Sequence, residues 1–515
     1  MARALIAVSD KRGAADLAGG LAALGWEVVA TGRTAATIEA AGVPVRTVES
    51  VTGAPEMLGG RVKTLHPAIH GGILARRDRP DDVAALAAYG IEPIDLVAVN
   101  LYPFRAAIAA GAGLEEAVEE IDIGGPSLLR AAAKNHRFVT VVVDPDDYQA
   151  VLEAIGHGGP DADARLRYAR KAFSHTAAYD AAIAGYLLGR SDPGTFPEVA
   201  TLAFEGAAVL RYGENPHQRA AFYRDPLPEP GSIATAVQLS GKALSYNNLM
   251  DADAAWRLVQ EFEDTAAAAV KHASPCGVAL GGSVREAFER ARDADPEAIF
   301  GGIVALNRSV DEATAAALAA LFLEVVVAPR FEPGARERLA AKKNLRLLEV
   351  PSGERAAGPS PLAVYQTHKV GGGILLQERD DADLDPGALK VVTRRAPSEA
   401  EMAALHFAWR VVKHVRSNAV VLARDGRTTG IGGGNVSRVG AVRAAVGQAG
   451  GRAWGSVMAS DAFFPLPDGV EEAARAGVAA VIQPGGSIKD AEVIEAADSA
   501  GMAMVTTGIR HFKHS

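Results

Sequence analysis

The amino-terminal part of the chain alternates between short apolar runs and amphipathic segments. Residues 4–8, 26–30 and 95–100 are apolar runs of strand length, and residues 14–24 have the Ala/Leu-rich pattern of a helix. Strands that alternate with helices predict an α/β fold with a doubly wound parallel sheet. Ligands of such a sheet bind beyond the carboxyl ends of its strands.

Two polar turns follow the first two predicted strands. Residues 9–12 (SDKR) and 31–34 (TGRT) each combine a hydroxyl with a cation where a helix is predicted to begin. The backbone amides and the positive dipole end of a helix start favour a phosphate. These turns therefore predict an anion site at one edge of the sheet.

The first domain is predicted to end after a long helical stretch. The pattern predicts a helix over residues 126–136, a strand over 138–143 and helical structure over 148–188. Residues 189–197 contain turn-forming residues and lack periodicity. We therefore expect a first domain at residues 1–193 and a second region at residues 194–515.

The second region has a mixed pattern of strands and helices. A segment rich in Pro, Gly and charge predicts a boundary between two subdomains at roughly residues 350–365. No internal repeat of the residues is apparent. Strands are predicted at 266–270, 303–306, 324–328, 419–423 and 479–483, and helices at 311–322 and 398–412.

Composition limits the possible functions. The 515 residues are too many for one core, which predicts several domains. A net charge of −9 gives no general basic face for nucleic acid, and no apolar run reaches membrane-spanning length. The single cysteine excludes an internal disulfide framework. We therefore expect a cytoplasmic protein without a nucleic-acid or membrane partner.

The segment KHASPCG at residues 271–277 is the strongest candidate for chemistry. The apolar run before it ends in Lys271 and His272, and Pro275 and Gly277 predict that the chain reverses there. A base that works near neutrality and a fixed positive charge at the mouth of a buried element suit catalysis. Taken alone, the pair fits an ordinary surface turn better than a catalytic site, and the other motifs of the chain favour chemistry. Cys276 is predicted to be a small packing residue rather than a nucleophile.

The loop RVKTLHP at residues 61–67 concentrates cations and a hydroxyl, and its alternative is a solvated basic turn. His66 and His70 are four residues apart, but Pro67 interrupts a helix that would carry both. No cysteine or carboxylate lies close by in the sequence, so no metal site is predicted.

Further polar residues stand at the ends of predicted elements. Tyr102, Asp122 and Lys134 can supply general acid, base and charge stabilisation, although each can also have a capping or surface role. The loop RYGENPHQ at residues 211–218 can bind an anion through its Arg and stack a heterocycle on its Tyr. Glycines at residues 430–434 can let the backbone approach a ligand closely.

Common nucleotide signatures are absent from these segments. The glycine run fails as a dinucleotide fingerprint because Asn435 stands where the last glycine should be. Gly241-Lys242 is followed by Ala243, so there is no phosphate-binding P-loop.

The chain carries the motifs RVKTLHP, NLYPF, IDIGG, AAAKNH, RYGENPHQ, KHASPCG and SNAV…GIGGGNVSR in this order. This set resembles the bifunctional purine-biosynthesis family, in which phosphoribosylaminoimidazolecarboxamide formyltransferase is fused to IMP cyclohydrolase. The resemblance covers essentially the whole chain, including TGIRHF at residues 507–512. It implies a methylglyoxal synthase-like first domain and a transformylase region of two cytidine deaminase-like subdomains.

The resemblance implies formyl transfer in the second region, with 10-formyltetrahydrofolate as co-substrate. It implies no tightly bound cofactor and a homodimer with the transformylase site at its interface. The residues that it places in catalysis are Lys271, His272 and Asn418. Those that it places in substrate binding are Arg211, Tyr212, Gly301, Arg438, Phe463, Arg510 and Phe512.

For the first domain, the resemblance implies ring closure of the formylated nucleotide to IMP with loss of water. The implied catalytic residues are Lys63, Tyr102, Asp122 and Lys134. The implied phosphate- and base-binding residues are Ser9, Lys11, Thr31, Thr34, Arg61 and Thr64. One residue departs from the family pattern, because Arg33 stands where a glycine is usual in a TGGTA-like turn. Its guanidinium either strengthens phosphate binding or crowds it.

Two other hypotheses remain open from the sequence. In the first, the amino-terminal sheet only binds a regulatory nucleotide, and the protein has one activity. In the second, the protein is a zinc-dependent nucleoside deaminase, against which the single cysteine argues because the usual zinc site needs a pair of cysteines.

Overall fold

The computed structural model describes residues 1–192, 194–351 and 365–514. The chain divides into two compact units: the first contains Met1–Phe204 and a later segment that ends at Ile374, and the second contains the remainder. Residue 193 and residues 352–364 lie outside the described residues. The predicted limits at 193 and at roughly 350–365 therefore stay predictions. Within the described ranges, no helix is long and apolar enough to span a membrane.

A parallel sheet forms the centre of the first unit. Its five described strands have the order β3-β2-β1-β4-β5. All neighbouring strands are parallel. The strands are β1 (Arg3–Val8), β2 (Glu27–Ala30), β3 (Arg46–Thr47), β4 (Leu96–Asn100) and β5 (Thr140–Val142). The helices are α1 (Ala14–Ala23), α2 (Gly32–Ala40), α3 (Val48–Thr52), α4 (Pro67–Leu74), α5 (Pro80–Ala88), α6 (Phe104–Ala109), α7 (Leu114–Glu119), α8 (Gly124–Lys134), α9 (Tyr148–Gly156) and α10 (Ala162–Ser191).

Both faces of this sheet are covered. Ala4 and Ile6 of β1 point to one face and pack in a cluster with residues of α1, α2 and α9. Leu5 points to the opposite face, as strand alternation requires, and is also fully buried. The predicted doubly wound parallel sheet is therefore confirmed. The helix α10 continues to Ser191, so the first residues of the segment predicted to be irregular, 189–191, are helical.

A mixed sheet forms the centre of the second unit. Its twelve described strands have the order β16-β21-β20-β19-β17-β18-β10-β9-β11-β12-β13-β8. The strands are β8 (Val237–Ser240), β9 (Ala266–Lys271), β10 (Ser274–Leu280), β11 (Ile303–Leu306), β12 (Val325–Ala328), β13 (Arg346–Glu349), β16 (Lys390–Val391), β17 (Val420–Arg424), β18 (Arg427–Gly432), β19 (Val457–Ser460), β20 (Ala480–Gln483) and β21 (Ala503–Thr506). Two further hairpins are formed by β6 (Glu205–Leu210) with β7 (Ala220–Arg224) and by β14 (Tyr365–Val370) with β15 (Gly373–Glu378).

Helices lie between the strands of the second unit. They are α11 (Tyr246–Val259), α12 (Val284–Ala294), α13 (Glu312–Ala319), α14 (Pro333–Ala340), α15 (Glu399–Val412), α16 (Arg438–Ala449), α17 (Asp468–Arg475) and α18 (Asp490–Ser499). Short 3-10 helices lie at Leu58–Gly60, Pro145–Asp147, Ile233–Thr235 and Gly450–Ala453. The strands and helices predicted from the hydrophobic pattern are present, with ends that differ by at most three residues, and the helical stretch predicted over 148–188 consists of the two helices α9 and α10.

The large sheet consists of two copies of one topology. In each copy an edge strand and a helix precede an antiparallel hairpin, and three parallel strands follow with helices between them. The first copy runs from β8 to β13 and the second from β16 to β21, and β10 pairs with β18 where they meet. The fold thus repeats although no repeat of the residues is apparent in the sequence, because a shared topology needs a similar hydrophobic pattern and not the same residues. The predicted division of this region into two subdomains stays a prediction, since the two copies share one sheet.

Equivalent positions in the two copies show how closely the topology repeats. Asn307 follows β11, and its Oδ1 accepts a hydrogen bond from the amide of Ala266 at 2.8 Å. Asp461 follows β19, and its Oδ1 accepts from the amide of Ala419 at 3.1 Å. In each copy one side chain therefore links the end of a parallel strand to the start of the hairpin.

Glycines in the hairpin strands allow the helices to pack directly against the backbone of the sheet. A Cβ atom on Gly432 of β18 would lie 2.0 Å from the carbonyl oxygen of Ala441 in α16, and one on Gly430 would lie 2.1 Å from that of Ala445. In the first copy, a Cβ on Gly277 would lie 2.0 Å from the carbonyl oxygen of Ala291 in α12. The glycines at 430 and 432 therefore allow a helix to approach, and not a ligand as the sequence suggested.

The chain reverses earlier than the sequence predicted. His272 and Ala273 form the turn, each with φ of 54°, whereas Pro275 and Gly277 lie inside β10. A register shift between Pro275 and Gly277 marks a bulge there. Proline tolerates a bulge because it needs no amide donor at that position, and the prediction of a Pro-Cys-Gly turn was wrong.

We predict that Gly432→Ala destabilises the second unit, because the added methyl would overlap the backbone of α16. The expected loss is about 1–3 kcal/mol in the free energy of unfolding, as for other overpacked cores. The matched control is Gly447→Ala in the same helix, where a Cβ meets nothing within 4 Å. It should gain about 0.5–1 kcal/mol because alanine favours a helix. Urea unfolding followed by circular dichroism measures both, and an unchanged midpoint for Gly432→Ala would contradict the packing argument.

Candidate active sites

The carboxyl ends of three neighbouring strands bring one set of predicted site residues together. Ser9 follows β1, Thr31 follows β2, and Tyr102 lies shortly after β4. Asn100 at the end of β4 fixes the first of these turns: its Oδ1 accepts from the amides of Ser9 and Asp10 at 2.6 and 2.8 Å. This edge of the first sheet is the candidate amino-terminal site.

The start of α2 forms an anion cradle at this edge. Thr31 is the N-cap residue, yet its side chain makes no capping hydrogen bond. The hydroxyl of Thr34 bonds to the carbonyl of Val8 at 3.1 Å, and Lys11 Nζ donates to that hydroxyl at 3.0 Å. Burial lowers the pKa of Lys11, and the neighbouring Arg33 guanidinium adds to this shift. The cradle therefore presents amides, hydroxyls and cations that a bound anion would stabilise.

The RVKTLHP loop contacts two helix starts at this edge. A Cβ on Gly32 would lie 2.5 Å from Lys63 Nζ, and a Cβ on Gly124 would lie 2.6 Å from Thr64 Oγ1. These glycines therefore bring the two side chains close to the starts of α2 and α8. Lys63 Nζ also pairs with a carboxylate oxygen of Glu56 at 2.9 Å.

Asp122 is held at the start of α8. Its Oδ1 accepts from the amide of Gly125 at 2.8 Å, and its carboxylate also accepts from the amide of Tyr102. Burial raises the pKa of Asp122 despite these bonds. The Tyr179 hydroxyl accepts from the Asp122 amide at 2.9 Å and donates to the carbonyl of Glu120 at 2.8 Å. Asp122, Tyr102, Lys63 and Thr64 therefore belong to one edge.

Lys134 does not join this group. It ends α8, an eleven-residue helix whose start carries the Asp122 contacts, so about 15 Å of helix separates the two. Lys134 instead lines a cleft of about 790 Å³ together with Arg130, Arg170 and Phe173. The helix predicted over residues 126–136 carried the signal for this separation, because a helix rises about 1.5 Å per residue.

Two other residues of the loop also have local partners. Arg61 pairs with Glu119 at the end of α7. His66 is the N-cap of α4, and its Nδ1 accepts from the amide of Ala68 at 3.1 Å. The expectation that the protein has no metal site stays a prediction.

Strand directions bring the second set of predicted residues to one end of the large sheet. Ile303 pairs with Val270, so the start of β11 lies beside the end of β9. Because β18 is antiparallel to β10, its end runs toward the turn at His272. The start of β17 and the ends of β19, β20 and β21 lie at this same end. The predicted residues that this arrangement gathers are Lys271, His272, Gly301, Asn418, Arg438, Phe463, Arg510 and Phe512.

A carboxylate of α11 holds the Lys271–His272 turn. Asp251 accepts from the amide of Ala273 at 2.7 Å and from that of His272 at 3.3 Å. The His272 side chain is exposed. The backbone of the turn is therefore fixed while its imidazole is free to meet a substrate.

Lys271 contacts the chain next to Gly301. Its Nζ donates to the carbonyl of Phe300 at 3.0 Å. Phe300 and Phe322 stack with centroids 5.3 Å apart, and they are 59% and 45% exposed. An exposed aromatic pair thus lies beside the lysine.

The RYGENPHQ loop lies close to the same turn. The Arg211 guanidinium lies 4.9 Å from the ring centre of Tyr212. Asn247 Nδ2 donates to the carbonyl of Glu214 at 3.3 Å. Asn247 and Asp251 are one turn apart on α11 and lie on the same face of that helix. The helix therefore links this loop to the turn that carries His272.

In the second copy of the topology, a buried ion pair orients the predicted site residues. Asp461 is fully buried and pairs with Arg438, which is 6% exposed. Arg438 Nη2 donates to Asn418 Oδ1 at 2.8 Å, and Asn418 Nδ2 donates to the carbonyl of Asn435 at 2.8 Å. Ser417 Oγ donates to the second oxygen of Asp461 at 2.5 Å. One carboxylate thus orients the predicted residues Asn418 and Arg438.

The carboxyl-terminal segment is anchored to the same carboxylate residue. The amide of His511 donates to the backbone carbonyl of Asp461 at 3.0 Å, and the imidazole is almost fully buried. On either side of it, the Arg510 guanidinium lies 4.3 Å from the ring centre of Phe512. Phe512 and Phe463 are 40% and 38% exposed. The segment therefore presents a cation and an aromatic ring at this end of the sheet.

Comparison with known proteins supports the motif-based resemblance. The model of the AICARFT/IMPCHase bienzyme family matches residues 132–448, more than half of the chain, and that of the MGS-like domain matches residues 13–127. The chain is 54% identical over 516 residues to the bifunctional purine biosynthesis protein PurH of Listeria monocytogenes serotype 4b, with all of both chains covered. It is 53% identical to PurH of Thermoanaerobacter sp. (strain X514) and 54% identical to PurH of Anoxybacillus flavithermus, with 99% of each chain covered.

The chain belongs to the AICARFT/IMPCHase bienzyme family. The resemblance stated from the motifs and the expected order of the two regions are therefore confirmed. The roles of the individual site residues stay predictions.

Several residues that support these sites in this bienzyme were missed in the sequence. Asp251, Asp461 and Tyr179 act through backbone or buried contacts far away in the chain, at separations that no local motif reports. A signal for Asp461 was available, since a carboxylate directly follows the apolar run 457–460. Its partner could not be found without the sheet.

We predict that Cys276 of this bienzyme is chemically inert in the native state. Burial raises the pKa of its thiol to about 12, and Sγ lies 3.4 Å from the carbonyl oxygen of Ala269. Iodoacetamide at pH 8 should therefore leave the native chain unlabelled for hours. The same chain in guanidinium chloride should be labelled within minutes, because a free thiol has a pKa of about 8.5. Equal labelling in both states, measured by mass spectrometry, would show an accessible thiolate.

Proposed function

We propose that this chain catalyses two consecutive steps of purine biosynthesis at two separate sites. The second unit would transfer a formyl group from 10-formyltetrahydrofolate to the amine of aminoimidazole carboxamide ribonucleotide. The first unit would close the formylated product to IMP with loss of water. As a member of its family, the protein is a bifunctional formyltransferase and cyclohydrolase of this pathway.

The proposal for formyl transfer starts from a weak nucleophile. The lone pair of the amine is delocalised into the imidazole ring and toward the carboxamide. The amine must therefore lose a proton as it attacks, and a base that works near neutrality is required. The exposed imidazole of His272, on a turn whose backbone Asp251 holds, suits this role.

Lys271 is proposed to stabilise the oxyanion of the tetrahedral intermediate. Its ammonium group has three donors, and one is used by the carbonyl of Phe300, so donors remain for the formyl oxygen. Removing such a donor typically costs about 2.7–4 kcal/mol in the barrier.

Nucleotide binding would use the groups gathered around this turn. Arg438 is held by Asp461 and in turn orients Asn418, whose amide would face the carboxamide and the ring. Arg211 with Tyr212, and Arg510 with Phe512, each combine a cation with an aromatic ring. Such pairs suit a phosphorylated heterocycle. Gly301 and Phe463 would complete this pocket.

The exposed rings at this end of the sheet support the proposed homodimer. Phe300, Phe322, Phe463 and Phe512 are each 38–59% exposed. A shared site would cover such rings with a second copy of the chain. A cytoplasmic location is part of the proposal and agrees with the single cysteine.

Cyclisation needs mainly orientation and proton transfer, because the amide nitrogen and the formyl carbon belong to one molecule. The cradle of Ser9, Lys11, Thr31 and Thr34 would hold the phosphate, with Arg61 and Thr64 contributing from the neighbouring loop. Lys63, Tyr102 and Asp122 would act on the ring-closing atoms. Their placement at one edge supports catalysis over a purely regulatory nucleotide site, whereas Lys134 lies too far from Asp122 to share that step.

The observation that carries the proposal for formyl transfer is the convergence of distant motifs. Segments near residues 271, 418, 438 and 510 meet at one end of the large sheet through strand direction, and α11 links the loop near residue 211 to the same end. The decisive assay follows both reactions in the whole chain, with the ribonucleotide and formyl folate in one and the formylated nucleotide alone in the other. Binding of IMP without cyclisation would favour the regulatory alternative.

We predict that His272→Ala and Lys63→Ala separate the two activities. His272→Ala should lower formyl transfer by at least about 100-fold, the usual contribution of a general base, and leave cyclisation nearly unchanged. Lys63→Ala should do the reverse. Each variant is the control for the other, and a parallel loss of both activities in either one would contradict the assignment to two sites.

We predict an acid limb in the pH profile of cyclisation that depends on Asp122. Burial raises the pKa of this carboxyl, so it becomes protonated at a higher pH than an ordinary aspartate. If the carboxylate is the active form, the rate stays level above this pKa and falls as the pH drops through it. Initial rates with the formylated nucleotide measure the profile. Asp122→Asn should remove the acid limb and lower the plateau, and an unchanged limb would assign it to another group.

A further inference from the structure

Arg33 is an exposed cation that has no acidic partner in the structure. Within residues 1–192, 194–351 and 365–514, no hydrogen bond or ion pair of its guanidinium is formed. The nearby Arg46, in contrast, is paired with Glu27 at 2.8 Å. An unpaired guanidinium can bind an anion without first breaking an ion pair with a carboxylate.

The position of Arg33 in the fold brings it close to a helix start. It is the second residue of α2, and the Thr31 side chain does not cap this helix. The amides of Thr34 and Ala35 already donate to the carbonyl of Thr31 at 2.8 and 3.0 Å. The first amides of the helix, at Gly32 and Arg33, have no acceptor within the helix. The guanidinium therefore rises from the same turn as the free amides and the positive end of the dipole.

Two lysines share this edge with Arg33. Lys11 Nζ donates only to neutral oxygens, the Val8 carbonyl and the Thr34 hydroxyl. The charge of Arg33 is near enough to help lower the pKa of Lys11. Lys63 is neutralised by Glu56. Arg33 and Lys11 are thus two like charges held close together, and Lys11 makes no hydrogen bond to a carboxylate, although Asp10 offsets part of the shift in the pKa of Lys11. A bound dianion would stabilise such a pair.

The Arg33 side chain does not crowd the phosphate turn. The close contact at this turn belongs to Gly32, where a Cβ would lie 2.5 Å from Lys63 Nζ, and this glycine is retained. Arg33 is the next residue and is exposed to solvent. Its long side chain can therefore reach an anion from the solvent side without filling the space that Gly32 leaves open.

We propose that Arg33 is a phosphate-binding residue of the amino-terminal site, where it contacts the dianionic 5′-phosphate of the formylated nucleotide and of IMP. This inference rests on the proposed cyclohydrolase function of that edge. A planar guanidinium can bind two phosphate oxygens at once, which a lysine cannot do in the same geometry.

The test compares ligands that differ only in the phosphate. Arg33→Gln removes the charge and leaves a shorter, uncharged polar side chain, and equilibrium dialysis of the full chain measures the dissociation constants of IMP and inosine. The IMP constant should rise about tenfold, the low end for a hydrogen bond to a charged group, while that of inosine stays unchanged. In the cyclisation assay KM should rise by a similar factor with kcat unchanged. Arg33→Lys should recover part of the IMP affinity.

The matched control is Arg46→Gln, which removes the same charge from a neighbouring strand where the guanidinium is already paired. It should change the IMP constant less than about twofold, as expected for an exposed ion pair. Equal weakening of IMP and inosine in Arg33→Gln would overturn the proposal. So would tighter IMP binding, the result of crowding, or an equal effect of Arg46→Gln.

The outcomes separate this inference from the proposed function. If Lys63→Ala abolishes cyclisation while Arg33→Gln changes neither IMP binding nor KM, the cyclohydrolase assignment stands and the role of Arg33 fails. If the unmodified chain does not cyclise the nucleotide at all, the proposed function fails. The comparison of IMP with inosine by dialysis then still decides whether Arg33 contacts the phosphate.

Discussion

The antiparallel contact between β10 and β18 determines which residues can meet in the second unit. It joins two copies of one topology so that their strands run in opposite directions. The carboxyl ends of β19, β20 and β21 therefore lie at the same end of the sheet as the starts of β11 and β12 and the turn at His272. A parallel contact would have put Lys271 and Arg438 at opposite ends of the sheet. The direction of two strands is thus a precondition of the transformylase chemistry.

The two copies use one equivalent position for different purposes. Asn307 can both accept and donate, and its Nδ2 bonds the carbonyls of Phe262 and Asp264 at 2.8 and 2.7 Å. Asp461, when ionised, can only accept, so Arg438 and Ser417 become its partners. The Asn307 amide therefore bonds only to backbone groups near its own strand. The Asp461 carboxylate instead binds Arg438, and Arg438 in turn donates to Asn418. The change from an amide at Asn307 to a carboxylate at Asp461 therefore accompanies the change from backbone partners to side-chain partners at the candidate site.

Local pattern was sufficient for most elements and insufficient for their exact turns. The structure confirms the predicted strand at residues 266–270 and the predicted alternation of strands and helices near the amino terminus, because burial follows apolar periodicity. The chain reverses at His272 and Ala273 and not at Pro275 as predicted, because a bulge accommodates the proline inside the strand. The glycines at 430 and 432 were read as space for a ligand, but the approach of α16 occupies that space. In both cases the deciding neighbour is the next strand or helix of the same hairpin unit, and its exact packing is not visible in the local pattern.

The sequence by itself determined the family, the order of the two regions and the residue types available for chemistry, because these depend on local motifs and composition. Only the tertiary structure decided which of those residues share a site. It placed Asp122 beside Tyr102 and bound Arg438 to Asp461. The physical reason is that strand pairing and packing join residues that are far apart in the chain, and the spacing of residues along the chain does not encode those contacts.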